Sequence, residues 1–396
     1  MGRLLYLVHR IPYPPNKGDK IRSFNVLKAL AKDHDVVLGC FVDDPADLEH
    51  VDVLHQYCQD VFVRSIDPKR RKVAALHGLL TGEALSIAFY SDAAFQRWVT
   101  NQIDGGVDAA ILFSAAMARF VPQESFETLP IWMDFVDLDS DKWQQYAEAQ
   151  NGLMRRVYER EAARLLDFER TIAGNAHMSS FVTDDEVALF KDRSGLESNR
   201  VTAVHNGVDL EYFTPRDAAL SSHQIVFTGA MDYQANVDAV TWFVSEVFGL
   251  IRAAQPAARF TIVGSKPTPS VKALSQVEGV DVTGFVEDIR DNIAGASVCV
   301  APMRIARGVQ NKVLEAMAMG KPVVATQAGY EGIRAVPGQD LLVESDAEAF
   351  AQAVLSLMTS PGKAHEMGRS ARHAMERGYA WQAALGPLTD FARALG

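Results

Sequence analysis

The stretch ARGVQNKVLEAMAMGKPVVAT, residues 306–326, decides how the chain is read. It is the middle of a strand–helix–strand unit. SVCVAP (297–302) is an apolar strand, 303–310 is the loop leaving its C-terminal end, and 311–319 is a helix. Gly320 with Pro322 stops that helix, and PVVAT is the next strand. Arg307 and Lys312 flank the helix start, where free N–H groups already carry partial positive charge. Each cation there costs roughly 0.3–1 kcal/mol unless something neutralises it. An anion would do so, phosphates above all, because such a loop presents unpaired amides. Gly308 permits close backbone approach, and Arg307 and Lys312 balance the phosphate charge. Glu315, one turn on, shares a face with Asn311 and Lys312 and can accept hydrogen bonds from paired hydroxyls such as a ribose carries. Helix physics leaves a second reading open, with both cations on the surface and Glu315 as a simple partner of Lys312.

The same alternation of short apolar strands and helices runs through almost all 396 residues, the pattern of α/β domains with parallel sheets. Strands are expected at 3–8, 35–42, 108–114 and 130–136, and a helix at 23–32. A long charged helical segment fills 141–172, with Leu153, Val157, Ala162, Leu165 and Leu166 as its buried stripe. A strand running into a helix follows at 178–190, and Thr183 with Glu186 fits a capping box. PRDAALSSH (215–223) is polar and aperiodic, which puts a boundary near 218. A second alternating series follows: QIVFTGA, a helix over 237–250, ARFTIVG, VDVTGF, SVCVAP and PVVAT. This length exceeds the ~250–300 residues at which single cores stop growing, so two domains are expected, with ligands at the C-terminal ends of the strands. No GxGxxG follows the first strand and no GxxxxGK[ST] occurs, which weakens dinucleotide and P-loop readings. The net charge of −11 argues against a general nucleic-acid binder. Cys40, Cys58 and Cys299 lack metal-ligand spacing and suit a reducing cytoplasm. The N-terminal apolar run, 4–8, is too short for a signal-peptide core, and no run reaches the ~18 residues of a membrane span. A cytoplasmic protein, at most peripherally attached to the plasma membrane's inner face, is expected.

RGVQNKVLEAMAMGKPVVAT resembles the sugar-nucleotide motif of retaining GT-B glycosyltransferases of family 4. VHNGVDLEYFTP (204–215) resembles that family's interdomain signature, and GFVEDIRDNIAGASVCVAP (284–302) the segment preceding the motif. KGDKIRSFNVLKALA, MDFVDLDSDKW and FTGAMDYQANVDAVTWF resemble a narrower group, the exosortase/PEP-CTERM-associated sugar transferases of exopolysaccharide synthesis. The resemblance implies two Rossmann-like domains facing across a cleft. These are 1–217 with 380–396 on the acceptor side and 218–379 on the nucleotide-sugar side, the last helix crossing back to the first domain. It implies transfer of a sugar, with retention, from a nucleotide-diphosphate donor to a hydroxyl of a glycan or lipid-linked glycan.

By that resemblance Glu315 holds the donor ribose, and the amides of Val309, Gln310 and Asn311 meet the distal phosphate. Backbone at Phe285 and Val286 contacts the base, and the loop 17–20, with Gly18, approaches the sugar and phosphate. Two departures stand out. Arg307 occupies the place of a sugar-contacting Glu, and Ala230 and Asn236 replace the usual Arg and Lys after the first strand of the second domain. Arg307 and Lys312 are expected to replace those cations in stabilising the departing diphosphate, so that no metal or other cofactor is needed. Asp19 is either a catalytic base or acceptor-positioning group, as in some relatives, or a helix cap. His9 either lines the cleft or is structural. DLD and DSD (137–141) evoke the metal-binding DxD of a different fold, but nothing else in the chain fits that fold, and Asp134 and Asp137 are better read as acceptor contacts. DPKRRKVAALHGLL (67–80) is either a membrane-facing patch or a solvated helix start. Two other functions remain open: a sugar-nucleotide epimerase of the same fold, and a non-catalytic nucleotide-sugar-binding assembly partner.

Overall fold

RLLYLV is apolar on both sides of its pleat, and it forms a strand covered on both faces, β1 (Arg3–Val8). The computed structural model in which it is seen describes residues 2–148, 150–216, 223–305 and 309–395. Around β1 lie β2 (Asp35–Val42), β3 (Asp60–Ser65), β4 (Ala109–Phe113), β5 (Ile131–Val136), β6 (Met178–Phe181) and β7 (Val201–Ala203). They pair in the order β3-β2-β1-β4-β5-β6-β7, every pair parallel. The order reverses between β1 and β4, so the C-terminal ends of these two strands open a crevice. The second sheet contains β8 (Gln224–Thr228), β9 (Arg259–Val263), β10 (Val280–Gly284), β11 (Val298–Ala301), β12 (Val323–Ala325) and β13 (Leu342–Val343). It is also parallel, ordered β10-β9-β8-β11-β12-β13, and reverses between β8 and β11.

The chain divides into one unit up to His205, rejoined from Leu385 onward, and a second unit from Asn206 to Ala384. The polar stretch near 218 is therefore not the dividing point. Residues 206–216 already belong to the second unit: Val208 N–H donates to the Tyr379 carbonyl at 2.7 Å, and Arg372 donates to the Phe213 carbonyl at 2.9 Å. A Cβ at Gly207 would come within 2.7 Å of the Trp381 ring, so this approach requires glycine. The expected single C-terminal helix is two, Trp381–Ala384 in the second unit and Gly386–Arg393 in the first. Phe391 packs edge-on to Trp132 and Arg393 pairs with Asp33 at 2.8 Å, which fixes the second of these to the first unit.

Other differences have local causes. The first helix is Gly18–Leu30 and starts ahead of residue 23, because Lys20 and Arg22 are anchored inside the unit by buried carboxylates. The charged segment breaks into Asp139–Glu148 and Gly152–Asn175 at Gly152, whose φ of 65° is left-handed. Leu153, just past the break, is exposed rather than core, whereas Ala162 and Leu165 are buried. The capping box at 183–186 is half made: Thr183 accepts from Glu186 N–H at 3.1 Å, but the Glu186 carboxylate turns to Leu138 N–H.

Candidate functional site

In the second unit the helix Asn311–Ala318 leaves β11 next to the sheet's reversal, with Gln310 as N-cap and no side chain capping it. Among the described residues the Asn311 and Lys312 amides find no acceptor and are available, as the sequence pattern requires, while Val313 N–H donates to the Gln310 carbonyl at 2.9 Å. Val309, Gln310 and Asn311 lie at this start; Arg307 and Gly308 fall outside the described residues. The Lys312 ammonium does not extend along its own helix. It donates to the Asn236 side-chain oxygen at 2.9 Å and the Gln310 side-chain oxygen at 3.3 Å, and sits 5.1 Å from the Phe227 ring centroid. Asn236, in the first turn of the helix Gln234–Trp242, is the position where the resemblance expects a lysine, so Lys312 brings its charge to the same place from another element. Both Lys312 and Glu315 keep some open surface yet are crowded by protein on most sides. Burial pushes the lysine down to about 8, against the pull of Glu315. Burial likewise pushes Glu315 up to about 7, against Lys312. Among the described residues no side chain donates a hydrogen bond to the Glu315 carboxylate, which leaves it available to hydroxyls.

Two further features suit a nucleotide. A Cβ at Gly264 would lie 1.6 Å from the Gly229 carbonyl, so the loops after β8 and β9 approach as only glycine allows. Phe285, directly after β10, exposes 76% of its surface, an aromatic face open at the same edge of the sheet, while Val286 is partly buried beside it.

The first unit places its candidates differently. A cavity of about 470 Å³ opens at the C-terminal ends of β1, β4 and β5, lined by His9, Asp19, Tyr90, Ser114, Asp137 and Trp143 among others. His9 stacks on Phe113 with centroids 5.8 Å apart, and its Nε2 lies 3.4 Å from Asp19. Asp19 also accepts from Arg10, which in turn binds Asp43 at 3.0 Å. Burial alone would raise the Asp19 carboxyl, but the His9 hydrogen bond and the His9 and Arg10 charges outweigh it and hold it well below the usual range. Asp19 is thus a fixed anion, an orienting acceptor and a weak base. It is not the helix cap either, since Lys17 occupies that position. Ser114 (φ 76°) and Val136 (φ 73°) hold left-handed backbone at the rim of this cavity, a strained conformation for a β-branched residue and a mark of functional edges.

Two expectations need correction. Asp134 is wholly buried and clasped by Arg22 through two contacts, 2.9 and 3.1 Å, with Ser180 donating at 3.1 Å. It ties the first helix to β5 and cannot meet an acceptor. Lys20 is equally buried, its ammonium 2.6 Å from Asp47, so it does not reach out of the loop 17–20. Asp139 and Asp141 pair with Lys142 and Arg193, and among the described residues no group of three His, Cys, Asp or Glu side chains is placed to hold a metal. Asp137 does reach the cavity mouth. Although exposed there, it has enough protein around it to raise its carboxyl; Asp139 adds to the effect and Lys142 opposes it.

The sequence reading missed Glu169 and gave Glu186 only to a capping box, whereas both acids hold the segment 137–141 in place. Glu169 is fully buried and accepts from Ser140 N–H at 3.3 Å, while Glu186 accepts from Leu138 N–H at 3.2 Å. Burial pushes each up to about 8. The folded protein therefore keeps protons that the unfolded chain has shed above 4.5, and stability falls as pH rises from there towards 8. Urea midpoints measured at about pH 5 and about pH 8 should show this loss, and Glu169→Gln should remove part of it. An unchanged slope would contradict the assignment.

Two parallel-sheet Rossmann-like units with these crevices define the GT-B fold. The structure of the Anabaena protein HepE in complex with UDP matches with a TM-score of 0.71 at 14% identity, over 100% of both chains. The family model described as glycosyl transferases group 1 matches residues 222–360, which contain the Lys312–Glu315 edge. The D-inositol 3-phosphate glycosyltransferase of Kribbella flavida is 30% identical over 246 residues, 56% of this chain and 57% of that protein. The GDP-mannose-dependent monoacylated alpha-(1-6)-phosphatidylinositol monomannoside mannosyltransferase of Corynebacterium glutamicum is 25% identical over 239 residues, 54% and 61%. The chain thus spans less than two thirds of the length of these curated relatives.

Proposed function

We propose that the protein transfers a sugar from a nucleotide-diphosphate donor to an acceptor hydroxyl, with retention. The observation that carries this is Lys312 at Asn236 with Glu315 one turn on, at the edge where the strand order reverses between β8 and β11. The diphosphate lies against the amides of 309–311 and the Lys312 ammonium, the ribose hydroxyls on Glu315, and the base near Phe285. Arg307 adds a second cation. Their work is electrostatic: fixed positive charge stabilises the diphosphate as it departs, so the chemistry requires no metal. The group 1 match over this edge and the HepE structures with UDP and with UDP-glucose support the reading. The acceptor is a glycan or lipid-linked glycan of exopolysaccharide synthesis, reached from the cytoplasmic side. Incubation with UDP-, GDP- and ADP-sugars and a cell glycolipid extract should release nucleoside diphosphate only when acceptor is present, and Glu315→Ala should abolish it. An isomerised donor made without acceptor would point to an epimerase instead.

Peripheral attachment has a structural candidate. The helix Pro68–Ala75 exposes Lys69, Arg70 and Lys72, and Val73, Leu76 and Leu79 are exposed on and just beyond it. No helix among the described residues is long and apolar enough to cross a membrane. Basic residues near an anionic surface contribute ~1 kcal/mol each, so Lys69→Glu with Arg70→Glu and Lys72→Glu should largely abolish co-sedimentation with phosphatidylglycerol vesicles. Equal sedimentation with phosphatidylcholine vesicles would refute the electrostatic attachment.

A further inference from the structure

We infer that the first unit's cavity takes an uncharged sugar ring of the acceptor and excludes a phosphate-bearing group. This rests on the glycosyl-transfer reading and names the acceptor class at that site. The space, about 470 Å³, falls in the ordinary range for small-ligand sites. Its walls combine aromatic surface with oxygen acceptors: Tyr90, Trp143 and Tyr146 offer rings, and Asp19, Asp137 and Asp139 offer carboxylates. Trp143 and Tyr146 meet edge to face, 5.7 Å between centroids, which fixes one ring against the other at the mouth. Rings cover the C–H faces of a pyranose, and carboxylates accept its hydroxyls. A carboxylate has about four lone-pair directions, so Asp19 can take a hydroxyl beyond its contacts with His9 and Arg10.

The charges rule against an anion. Arg10 is committed to Asp19 and Asp43, and Lys142 lies 3.3 Å from Asp139. His9, the third possible cation, is likewise engaged, 3.4 Å from Asp19, so a phosphate entering here would face three carboxylates with every nearby cation already paired, and like charges brought together disfavour the wrong partner. A site whose polar groups accept hydroxyl hydrogen bonds also discriminates against ligands that cannot donate them.

The test is intrinsic tryptophan fluorescence of the full chain, titrated with methyl glucoside, mannoside, galactoside and N-acetylglucosaminide, and with the corresponding sugar 6-phosphates and myo-inositol 1-phosphate. At least one neutral glycoside should bind saturably, with its phosphorylated counterpart at least about tenfold weaker. Tyr146→Ala, at a half-exposed rim position that folding tolerates, should weaken the neutral ligand. Asp137→Asn with Asp139→Asn should narrow the gap by admitting the phosphate. Tighter binding of the phosphates, or no saturable binding by any neutral glycoside, overturns the inference. UDP, GDP and ADP titrated in parallel separate the two claims. Nucleotide binding with phosphate-preferring acceptor binding sinks only the acceptor class, and glycoside binding without any nucleotide binding sinks the transfer reading.

Discussion

Arg22→Ala should destabilise the first unit by roughly 3–5 kcal/mol, because it leaves a buried carboxylate without its counter-ion. Arg22 and Asp134 are both excluded from solvent, and the guanidinium fork meets both carboxylate oxygens. Ser180, itself held by the Trp132 indole N–H at 2.9 Å, completes the network. Removing one partner strands the other in a medium of low polarity, whereas replacing both by apolar residues of similar size costs far less. In urea denaturation the transition of the first unit should move and that of the second should not. The double change Arg22→Met with Asp134→Leu should recover most of the loss. A single-variant loss below about 1 kcal/mol would show that the pair is not desolvated as described.

Lys312→Ala should weaken binding of the nucleoside diphosphate by about tenfold or more, since a hydrogen bond to a charged group contributes about 1.5–3 kcal/mol. Its pH dependence is diagnostic. Burial holds this lysine near 8, so its positive charge is lost as pH rises through that value, and affinity should fall over the same interval. Glu315, held near 7, ionises just below this interval and acts in the opposite sense, improving its acceptance of ribose hydroxyls as pH rises, so the fall above 8 belongs to the lysine. Lys312→Ala should bind weakly and show no fall in affinity as pH rises above 8. A variant that keeps the wild-type slope would place the titrating cation elsewhere.

The alternation that places β1, β2, β4, β5 and the core strands of the second sheet was legible, because continuous apolar runs bounded by turn residues have one common outcome in parallel sheets. The edge strands β3, β7 and β13 escaped it. DVFVRS is only half-buried, and the other two are three and two residues long, so little periodicity marks them. At the site, Lys312 and Glu315 were legible as a pair on one helix face, since helical spacing fixes that relation locally. That Lys312 reaches Asn236 was expected only as a replacement of charge; the 2.9 Å contact joins residues 76 apart in sequence. Asp134 was misread for the same reason: MDFVDLDSD shows a row of acids but not that Arg22, 112 residues earlier, faces one of them. An arginine near the start of the largely apolar run IRSFNVLKAL was the available signal. The first-unit cavity, assembled from six separated segments, left no mark in the sequence beyond its acids and rings.

The most direct test of the central claim is calorimetric titration of UDP, GDP and ADP into the wild-type chain and Glu315→Ala. One of the three should bind to a single site in the wild type, and Glu315→Ala should weaken it by about tenfold. Failure of all three to bind, or equal binding by the Glu315→Ala chain, would contradict a nucleotide site at the start of the helix Asn311–Ala318.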